Sequence, residues 1–367
     1  MIPSSKNTLS SRERVLLALD HEETDRIPMG MVCSSINFPA SRELDAYLRR
    51  ERDVSLDCYL NAVVDIGTVN PDYRGPQLDS GQDMWGVIRK PVSFGLASYD
   101  EIAYYPLAGA RTIDDLRRHR WPLTEWFDYS AIPYRIAFVR ANGEKCAMAM
   151  NGNIFETSWY MRGFEKTFTD LVLSPELAHW TLKQVTDFYV DHFTEILTAG
   201  RGEIDLVMTA DDIGGQNGLL MSLEMWEEFI KPCHVRLNKV IHELGARVIY
   251  HSDGGIMDAV AGLIDMGIDV LQALQFDAKG MDPAVLKQNY GDRLCFQGGV
   301  SVQKTLPFGT VEDVVHETES HITTLGKNGG YILGPSHAIQ AGTPPENIAA
   351  MFDTALRFYP FGERKPS

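Results

Sequence analysis

The stretch Ala246-Arg247-Val248-Ile249-Tyr250-His251-Ser252-Asp253-Gly254-Gly255 decides the fold of this chain. Its β-branched and aromatic residues predict a buried strand, and the two glycines allow the backbone to turn away into a helix. Because side chains two residues apart in a strand share a face, we expect His251 and Asp253 to point the same way. They stand at the carboxyl end of the strand, where enzymes with parallel sheets carry out their chemistry.

Strands and helices alternate on both sides of this stretch, as the pattern of apolar residues indicates. Further strands are predicted at residues 25–32, 146–152, 204–210, 270–274, 294–299 and 330–333. The helices between them include one that begins at Pro175 and one over residues 225–244 that is interrupted or offset at Pro232. This alternation predicts an α/β protein, a single (β/α)8 TIM barrel with an N-terminal helical extension.

The N-terminal extension is predicted from Ser10 and Glu13, which have the spacing of a capping box before an apolar run. A second capping box is expected at Thr343-Pro344-Pro345-Glu346, before the last helix. Residues 79–87 suggest a turn into a hairpin or a loop over the active site. The predicted divisions are a helical extension at residues 1–24, the barrel at 25–360 and a tail at 361–367.

Composition limits the partners that we expect. The formal net charge of -16 argues against a nucleic-acid partner, which would need basic patches. No apolar run is long enough to span a bilayer and the first residues lack a signal-peptide core, so we expect a cytoplasmic protein. The cysteines are odd in number and never spaced as C-x-x-C, so neither a disulfide framework nor a thiolate zinc site is indicated.

Polar side chains follow several of the predicted strands. Asp211 and Asp212 come directly after the strand at 204–210, and His337 lies just past the strand at 330–333. In a parallel barrel these side chains would meet His251 and Asp253 at one mouth. Two imidazoles and several carboxylates in a small volume suit Zn²⁺ with nitrogen and oxygen ligands.

Each of these candidates also has a structural interpretation. His251 and Asp253 could form only a hydrogen-bonded pair that closes the top of the barrel, and Asp211-Asp212 could cap the following loop. Glu156, in Gly152-Asn153-Ile154-Phe155-Glu156, is a further candidate for the mouth. Its structural alternative is an exposed loop glutamate, which is the commoner situation for this residue type.

A set of motifs in this chain resembles the uroporphyrinogen decarboxylase superfamily. The motifs are Ala210-Asp211-Asp212-Ile213-Gly214-Gly215-Gln216, Pro232, His251-Ser252-Asp253-Gly254, Gln297-Gly298-Gly299-Val300, and His337 followed by Thr343-Pro344-Pro345-Glu346-Asn347-Ile348. The resemblance extends from about Asp25 to the last helix. It implies a (β/α)8 barrel with one of two activities, tetrapyrrole decarboxylation or corrinoid-linked methyl transfer.

The decarboxylase activity is the less favoured of the two. In that branch of the family an arginine-rich segment after the first strand binds the carboxylates of the porphyrinogen. Here the corresponding place reads Met29-Gly30-Met31-Val32-Cys33-Ser34-Ser35-Ile36-Asn37, without an arginine. A highly anionic substrate would therefore meet too little positive charge in a protein that is already acidic.

The methyltransferase branch carries a metal-binding His-x-Cys followed much later by a second Cys. By resemblance, His251, Asp253 and His337 occupy these positions, so the implied zinc would have harder nitrogen and oxygen ligands. This favours a zinc-dependent methyltransferase, or demethylase component, that moves a methyl group from a small O-, N- or S-methyl substrate to a corrinoid. The corrinoid would be carried by a partner protein that docks at the barrel mouth.

Three other classes of function stay open. They are decarboxylation of a smaller carboxylate, with Asp211 or Asp212 stabilising a protonated intermediate, metal-dependent hydrolysis, and ligand binding without turnover. The catalytic candidates are Asp211, Asp212 and Glu156. The predicted walls of the substrate pocket are Trp85, Phe155, Trp159, Tyr160 and Gln297, although core packing is the commoner role for such aromatics.

Overall fold

The computed structural model describes residues 8–31, 36–94, 97–358 and 361. The strands are β1 Ile66–Thr68, β2 Asp72–Tyr73, β3 Ile88–Phe94, β4 Ala97–Tyr104, β5 Phe127–Asp128, β6 Cys146–Asn153, β7 Leu206–Ala210, β8 Gly214–Gly215, β9 Gly218–Leu219, β10 Arg247–His251, β11 Val270–Ala273, β12 Cys295–Val300 and β13 Tyr331–Pro335. Seven of them form one parallel curled sheet in the order β1, β6, β7, β10, β11, β12 and β13. The fold is therefore α/β and TIM-like.

The helices lie mainly between successive strands of this sheet. They are α1 Ser11–Leu19, α2 Phe38–Arg52, α3 Leu56–Val63, α4 Ile113–Arg117, α5 Ile132–Ala141, α6 Ile154–Arg162, α7 Phe164–Leu173, α8 Pro175–Gly200, α9 Leu223–Phe229, α10 Lys231–Glu243, α11 Val260–Asp265, α12 Pro283–Tyr290, α13 Thr305–Phe308, α14 Val311–Leu325 and α15 Pro345–Arg357. No helix in the described ranges has the length and apolar character needed to cross a membrane.

The two edges of the curled sheet meet near Met29. Met29 forms a parallel bridge with Leu333 of β13, and the amide of Gly30 donates to the carbonyl of Leu333 at 2.9 Å. On the other side, the amide of Asp65 donates to the carbonyl of Met29 at 2.8 Å. The strand predicted at residues 25–32 is thus reduced to this bridge, since Pro28 has no amide proton to donate. Residues 32–35 of the arginine-free segment lie outside the described ranges.

The local elements largely match the expectations from sequence. Strand β10 covers the predicted run, and the helix predicted at 225–244 is divided into α9 and α10, with Pro232 in the first turn of α10. Ser10 and Glu13 form the predicted capping box. The capping box expected at Thr343 is wrong, because α15 begins after Pro344 without a side-chain cap. The turn predicted near residues 79–87 leads into the antiparallel hairpin of β3 and β4.

The interior of the sheet forms its own small apolar cluster. Alternate strand residues such as Ile249, Val270 and Cys295 point inward, and Val15 and Leu19 of α1 pack against the same cluster. A much larger core lies between the outer faces of the strands and the helices. Helix α1 therefore covers the inward-facing residues of the sheet from below, at the end opposite to His251.

A buried ionic network holds α1 to the start of the sheet. The Asp65 carboxylate accepts hydrogen bonds from Arg14 at 2.9 Å and from Arg26 and the Met29 amide at 2.8 Å. Arg14 also donates to Asp25 at 2.7 Å. The Asp65, Arg14 and Arg26 side chains are almost fully buried. Ion pairing and hydrogen bonding among them therefore replace the hydration that each charge loses on burial.

Replacing Asp65 with asparagine should lower the free energy of unfolding by about 3–5 kcal/mol, because Arg14 and Arg26 would remain buried without their carboxylate. Chemical denaturation of both proteins measures the difference. Asp191→Asn, an exposed position in the middle of α8, is the matched control and should change the free energy by less than about 0.5 kcal/mol. Equal stability of Asp65→Asn and wild type would contradict the assigned role of the network.

Candidate metal and active site

Three side chains that could hold a metal ion meet at the carboxyl end of the sheet. His251 is the last residue of β10, Asp253 follows two residues later, and His337 lies two residues after β13. One ligand atom from each lies within 4.8 Å of the other two. The His337 Nε2 atom is 3.6 Å from Asp253 Oδ2, and the His251 Nε2 atom is 3.9 Å from Asp253 Oδ1. The structure thus brings together the three residues predicted as ligands.

The chemistry of this cluster fits a divalent cation. Asp253 Oδ1 is buried and accepts no hydrogen bond from the residues that the structure describes. A buried carboxylate oxygen without a partner is unfavourable, and a cation would supply the missing interaction. Burial raises the pKa of Asp253 to about 6, although His251 opposes this shift and Asp212 adds to it. Burial also lowers the pKa of His337, which favours the neutral imidazole that binds metals.

Asp212 lies beside this cluster. Its Oδ1 atom accepts a hydrogen bond from the Asp253 amide at 2.8 Å and is 3.8 Å from the Nε2 atom of His251. The hydrogen bond fixes the loop that carries Asp253, and the carboxylate adds negative charge next to the imidazole. Asp212 is therefore placed where the sequence predicted it, at the mouth.

Asp211, in contrast, turns away from the cluster. Its carboxylate is fully buried and accepts hydrogen bonds from the amides of Phe155 and Glu156 at 2.8 Å, in the first turn of α6. It also lies 2.6 Å from the Nε2 atom of His234 on α10. The expectation that Asp211 could face the mouth is therefore not met, because a buried carboxylate needs these donors and they lie in the helical layer.

His234 is a residue that sequence reasoning missed. It is fully buried on α10, on the same face as the buried Leu237 and Ile241. A histidine in the apolar stripe of an amphipathic helix needs a polar partner, and this spacing is the signal that could have identified it.

Glu156 is buried in the first turn of α6 and is not an exposed loop residue. Its side chain accepts hydrogen bonds from the Tyr160 hydroxyl at 2.7 Å and from the Asn153 amide group at 2.6 Å. Burial, together with the negative charges of Asp212 and Asp211, raises the pKa of Glu156 to about 8, against the hydrogen bonds from Tyr160 and Asn153, which lower it. The carboxyl group is consequently neutral near pH 7.

Two of the five residues predicted to line the pocket, Trp85 and Phe155, lie in the core instead. Trp85 is 5% exposed, and its ring packs against Phe188 with centroids 5.0 Å apart. Phe155 is fully buried and packs edge-on against Phe168 at 5.7 Å. Both rings are therefore held in the core by aromatic packing against helical residues, Phe188 of α8 and Phe168 of α7.

The other three predicted pocket residues are Gln297, Trp159 and Tyr160. Gln297 is fully buried in register with His251 across the intervening strand, and its Oε1 atom accepts from Gln272 at 3.0 Å. Trp159 is partly buried and packs against Tyr160, with ring centroids 4.2 Å apart. Gln297 thus belongs to the inward-facing layer of His251, and Trp159 belongs to the helix that carries Glu156.

A cavity of about 220 Å³ adjoins the cluster on the side of β12 and β13. Its lining residues are Asp253, Gln275, Val302, Gln303, Ser336, His337, Ala338 and Gln340. A larger groove of about 550 Å³ runs along α13 and α14 and contains none of the three candidate ligands. The smaller cavity is the one placed for chemistry at the cluster, and its walls are mostly uncharged amide and hydroxyl groups.

Comparison with known proteins identifies the family. The family description "Uroporphyrinogen decarboxylase (URO-D)" matches residues 118–358, and this chain belongs to that family. The predicted resemblance is therefore confirmed.

Known relatives carry the names of both activities. A uroporphyrinogen decarboxylase from Anaeromyxobacter sp. (strain Fw109-5) is 24% identical over 257 residues, which cover 69% of this chain and 64% of that protein. A methylated-thiol–coenzyme M methyltransferase from Methanosarcina mazei is 28% identical over 196 residues, covering 53% of this chain and 49% of that protein. The chain thus spans between about half and two thirds of the length of these curated relatives.

The fold also matches a solved structure. A methyltransferase from Methanosarcina mazei superposes with a TM-score of 0.65 at 18% identity, covering 95% of this chain and 98% of that one. This likeness supports the TIM-like architecture over nearly the whole chain.

The different surroundings of the two neighbouring aspartates predict different effects of mutation. Asp211→Asn should lower the free energy of unfolding by about 3–5 kcal/mol, because it removes a buried charge from His234 and from two helix amides. Asp212→Asn should lower it by about 1 kcal/mol, since only the hydrogen bond from the Asp253 amide is weakened. Thermal and chemical unfolding measure both values, and similar losses for the two variants would contradict this assignment.

Proposed function

We propose that this protein is a zinc-dependent methyltransferase that moves a methyl group from a small O-, N- or S-methyl substrate to a corrinoid carried by a partner protein. The observation that supports it is the cluster of His251, Asp253 and His337 at the mouth of a barrel of this family. By resemblance, these residues stand where methyltransferases of the family carry their metal ligands. In this proposal the Met29 segment counts as the eighth strand of the barrel.

His251, Asp253 and His337 would hold the zinc ion and leave a position open for the substrate. When bound, zinc supplies Lewis acidity that stabilises the heteroatom of the methyl donor as a leaving group. Asp212 holds the amide of Asp253 and so orients the loop that presents the Asp253 carboxylate. The adjoining cavity would accept a donor of limited size, since its volume of about 220 Å³ is below the roughly 300–1,000 Å³ of pockets that bind drug-sized ligands.

The surroundings of the site favour a donor without several carboxylates. Asp212 and Asp253 place negative charge at the mouth, and the nearby Arg89 is paired with Asp83 at 2.6 Å. An oligocarboxylate would therefore meet repulsion. The corrinoid-bearing partner would approach this mouth, because the methyl group must reach the cobalt. We also propose that the protein lies in the cytoplasm.

Decarboxylation of uroporphyrinogen or of a smaller carboxylate is the second candidate, because several relatives carry the name uroporphyrinogen decarboxylase. Release of CO₂ from uroporphyrinogen would favour it. A metal-dependent hydrolase on the same barrel is a further alternative, and it would act with no corrinoid present.

The metal site can be tested without any substrate. Wild type should bind about one Zn²⁺ per chain. Loss of a residue that only hydrogen-bonds to a metal ligand weakens metal affinity roughly 10–100-fold, so loss of a ligand itself in His251→Ala or His337→Ala should weaken it more. Elemental analysis and calorimetric titration with Zn²⁺ measure this. His179→Ala, an exposed histidine on α8, is the matched control and should bind like wild type. Near-zero zinc in all four proteins would remove the metal from the proposal.

The reaction can be tested with free cob(I)alamin as methyl acceptor. We expect the absorption spectrum to change to that of methyl-cob(III)alamin with at least one member of a panel of methyl ethers, methylamines and methyl thioethers. The change should require zinc and should be lost in His251→Ala but kept in His179→Ala. Hydrolysis of an ester or amide panel without cobalamin, or CO₂ release, would instead support one of the alternatives.

A further inference from the structure

Glu156 is a buried carboxyl group close to the carboxylates of Asp211 and Asp212, and it is not one of the three candidate metal ligands. It lies in the first turn of α6 and is 7% exposed. The amide of Glu156 is tied to Asp211, and Asp211 is followed by Asp212, which contacts the loop of Asp253. Glu156 is therefore close to the cluster but separate from its three ligands.

The surroundings of Glu156 favour its neutral form. Its nearest charged neighbours are the carboxylates of Asp212 and Asp211, and Tyr160 and Asn153 are its hydrogen-bonding partners. No lysine or arginine forms an ion pair with Glu156 among the described residues. Ionisation would add a negative charge next to two others in a buried place, so the proton is retained to about pH 8.

The groups with charge or a titratable proton around Glu156 come from several elements. They are Asp211 and Asp212 after β7, Tyr160 on α6, Tyr189 on α8, Tyr250 on β10 and Arg89 on β3. The Arg89 guanidinium lies 4.9 Å from the centre of the Tyr160 ring and does not contact Glu156 directly. Burial keeps the pKa values of the three tyrosines above their ordinary range, so they remain neutral when Glu156 titrates.

We propose that Glu156 is the general acid of the reaction and gives its carboxyl proton to the heteroatom that the methyl group leaves. This role rests on the proposed methyl transfer and deepens it. With a methyl ether, the electron pair of Co(I) forms the Co–C bond while the C–O bond breaks. The oxygen keeps the electron pair of that bond and takes the Glu156 proton. Water then returns a proton to the Glu156 carboxylate.

The proton matters most for ethers. A phenol has a pKa near 10, as tyrosine does, so a carboxyl group with a pKa of about 8 transfers its proton to a departing phenolate favourably. A departing thiolate gains little from the same proton, because the pKa of its conjugate thiol is near 8.5. A quaternary ammonium donor leaves as a neutral amine and needs no acid at all. The acid therefore favours O-methyl donors over the other two classes.

The leaving-group dependence of the rate is the sharpest test. With cob(I)alamin and a series of ring-substituted anisoles, the rate of methyl transfer by wild type should depend weakly on the pKa of the departing phenol. The rate of Glu156→Gln should depend on this pKa steeply. It should be about 10²–10⁴-fold below the wild-type rate for the most basic phenolates and only slightly below it for nitrophenolates. Glu43→Gln, at an exposed position of α2, is the matched control and should behave like wild type.

The pH profile gives a second readout. The wild-type rate with anisole should fall as pH rises through about 8, because the acid form of Glu156 is then lost. Glu156→Gln should lack this fall. Tyr160→Phe removes a hydrogen bond that lowers the pKa of Glu156, so the rate of this variant should begin to fall at a higher pH than that of wild type. A purely structural role of either residue would change the rate without moving the midpoint.

Infrared spectroscopy tests the protonation state without any turnover. Wild type should show a carboxylic-acid carbonyl band that disappears with a midpoint near pH 8 and is absent from Glu156→Gln. This measurement also serves if Glu156→Gln proves too unstable for kinetics. Absence of the band from wild type overturns the acid role.

The two proposals fail in different ways. If wild type methylates cob(I)alamin but Glu156→Gln keeps both the leaving-group dependence and the pH profile of wild type, only the acid role is overturned. If wild type transfers no methyl group from any donor class, the proposed function is overturned and the acid role with it.

Discussion

Burial of the Asp211 carboxylate is the constraint on which the arrangement of the site depends. A carboxylate with no access to water must be given donors, and Asp211 obtains them from two amides of α6 and from His234 of α10. Its own amide donates to the carbonyl of His251 at 3.0 Å. Through its side chain and its amide, Asp211 therefore joins a strand end to two helices and to the neighbouring strand, and this sets where Asp212, Glu156 and His251 can lie.

Much of this architecture could be predicted from local pattern. The strand ending at His251 follows from its β-branched run, and His337 could be brought to the same place because parallel strands end on one side of a sheet. The orientation of adjacent aspartates could not be predicted, since Asp211 and Asp212 have the same side chain and differ only in partners distant in sequence. The burial of Trp85 depends in the same way on aromatic rings more than 30 residues away in the sequence, those of Trp121 and Phe188.

The site combines two kinds of carboxyl group within one small region. Asp253 has an oxygen without a hydrogen-bond donor in the described part of the chain, which suits coordination to a cation. Glu156 is buried beside the carboxylates of Asp211 and Asp212, which suits a neutral acid and outweighs its two hydrogen-bond donors. The difference arises from environment alone, because both residues start from ordinary carboxylic acids. A carboxylate suited to a cation and a neutral carboxyl group can thus stand at the same end of one parallel sheet.

The contact between Met29 and Leu333 has a consequence for how the protein is made. These residues pair across about 300 positions of the chain, so the sheet cannot close until its last strand has left the ribosome. Until then α1, which covers the inward-facing residues from below, has only part of its binding surface, because β13 lines the same interior through Ile332. The nascent chain must therefore carry an open strand edge for most of its synthesis, the state in which barrels are most exposed to aggregation.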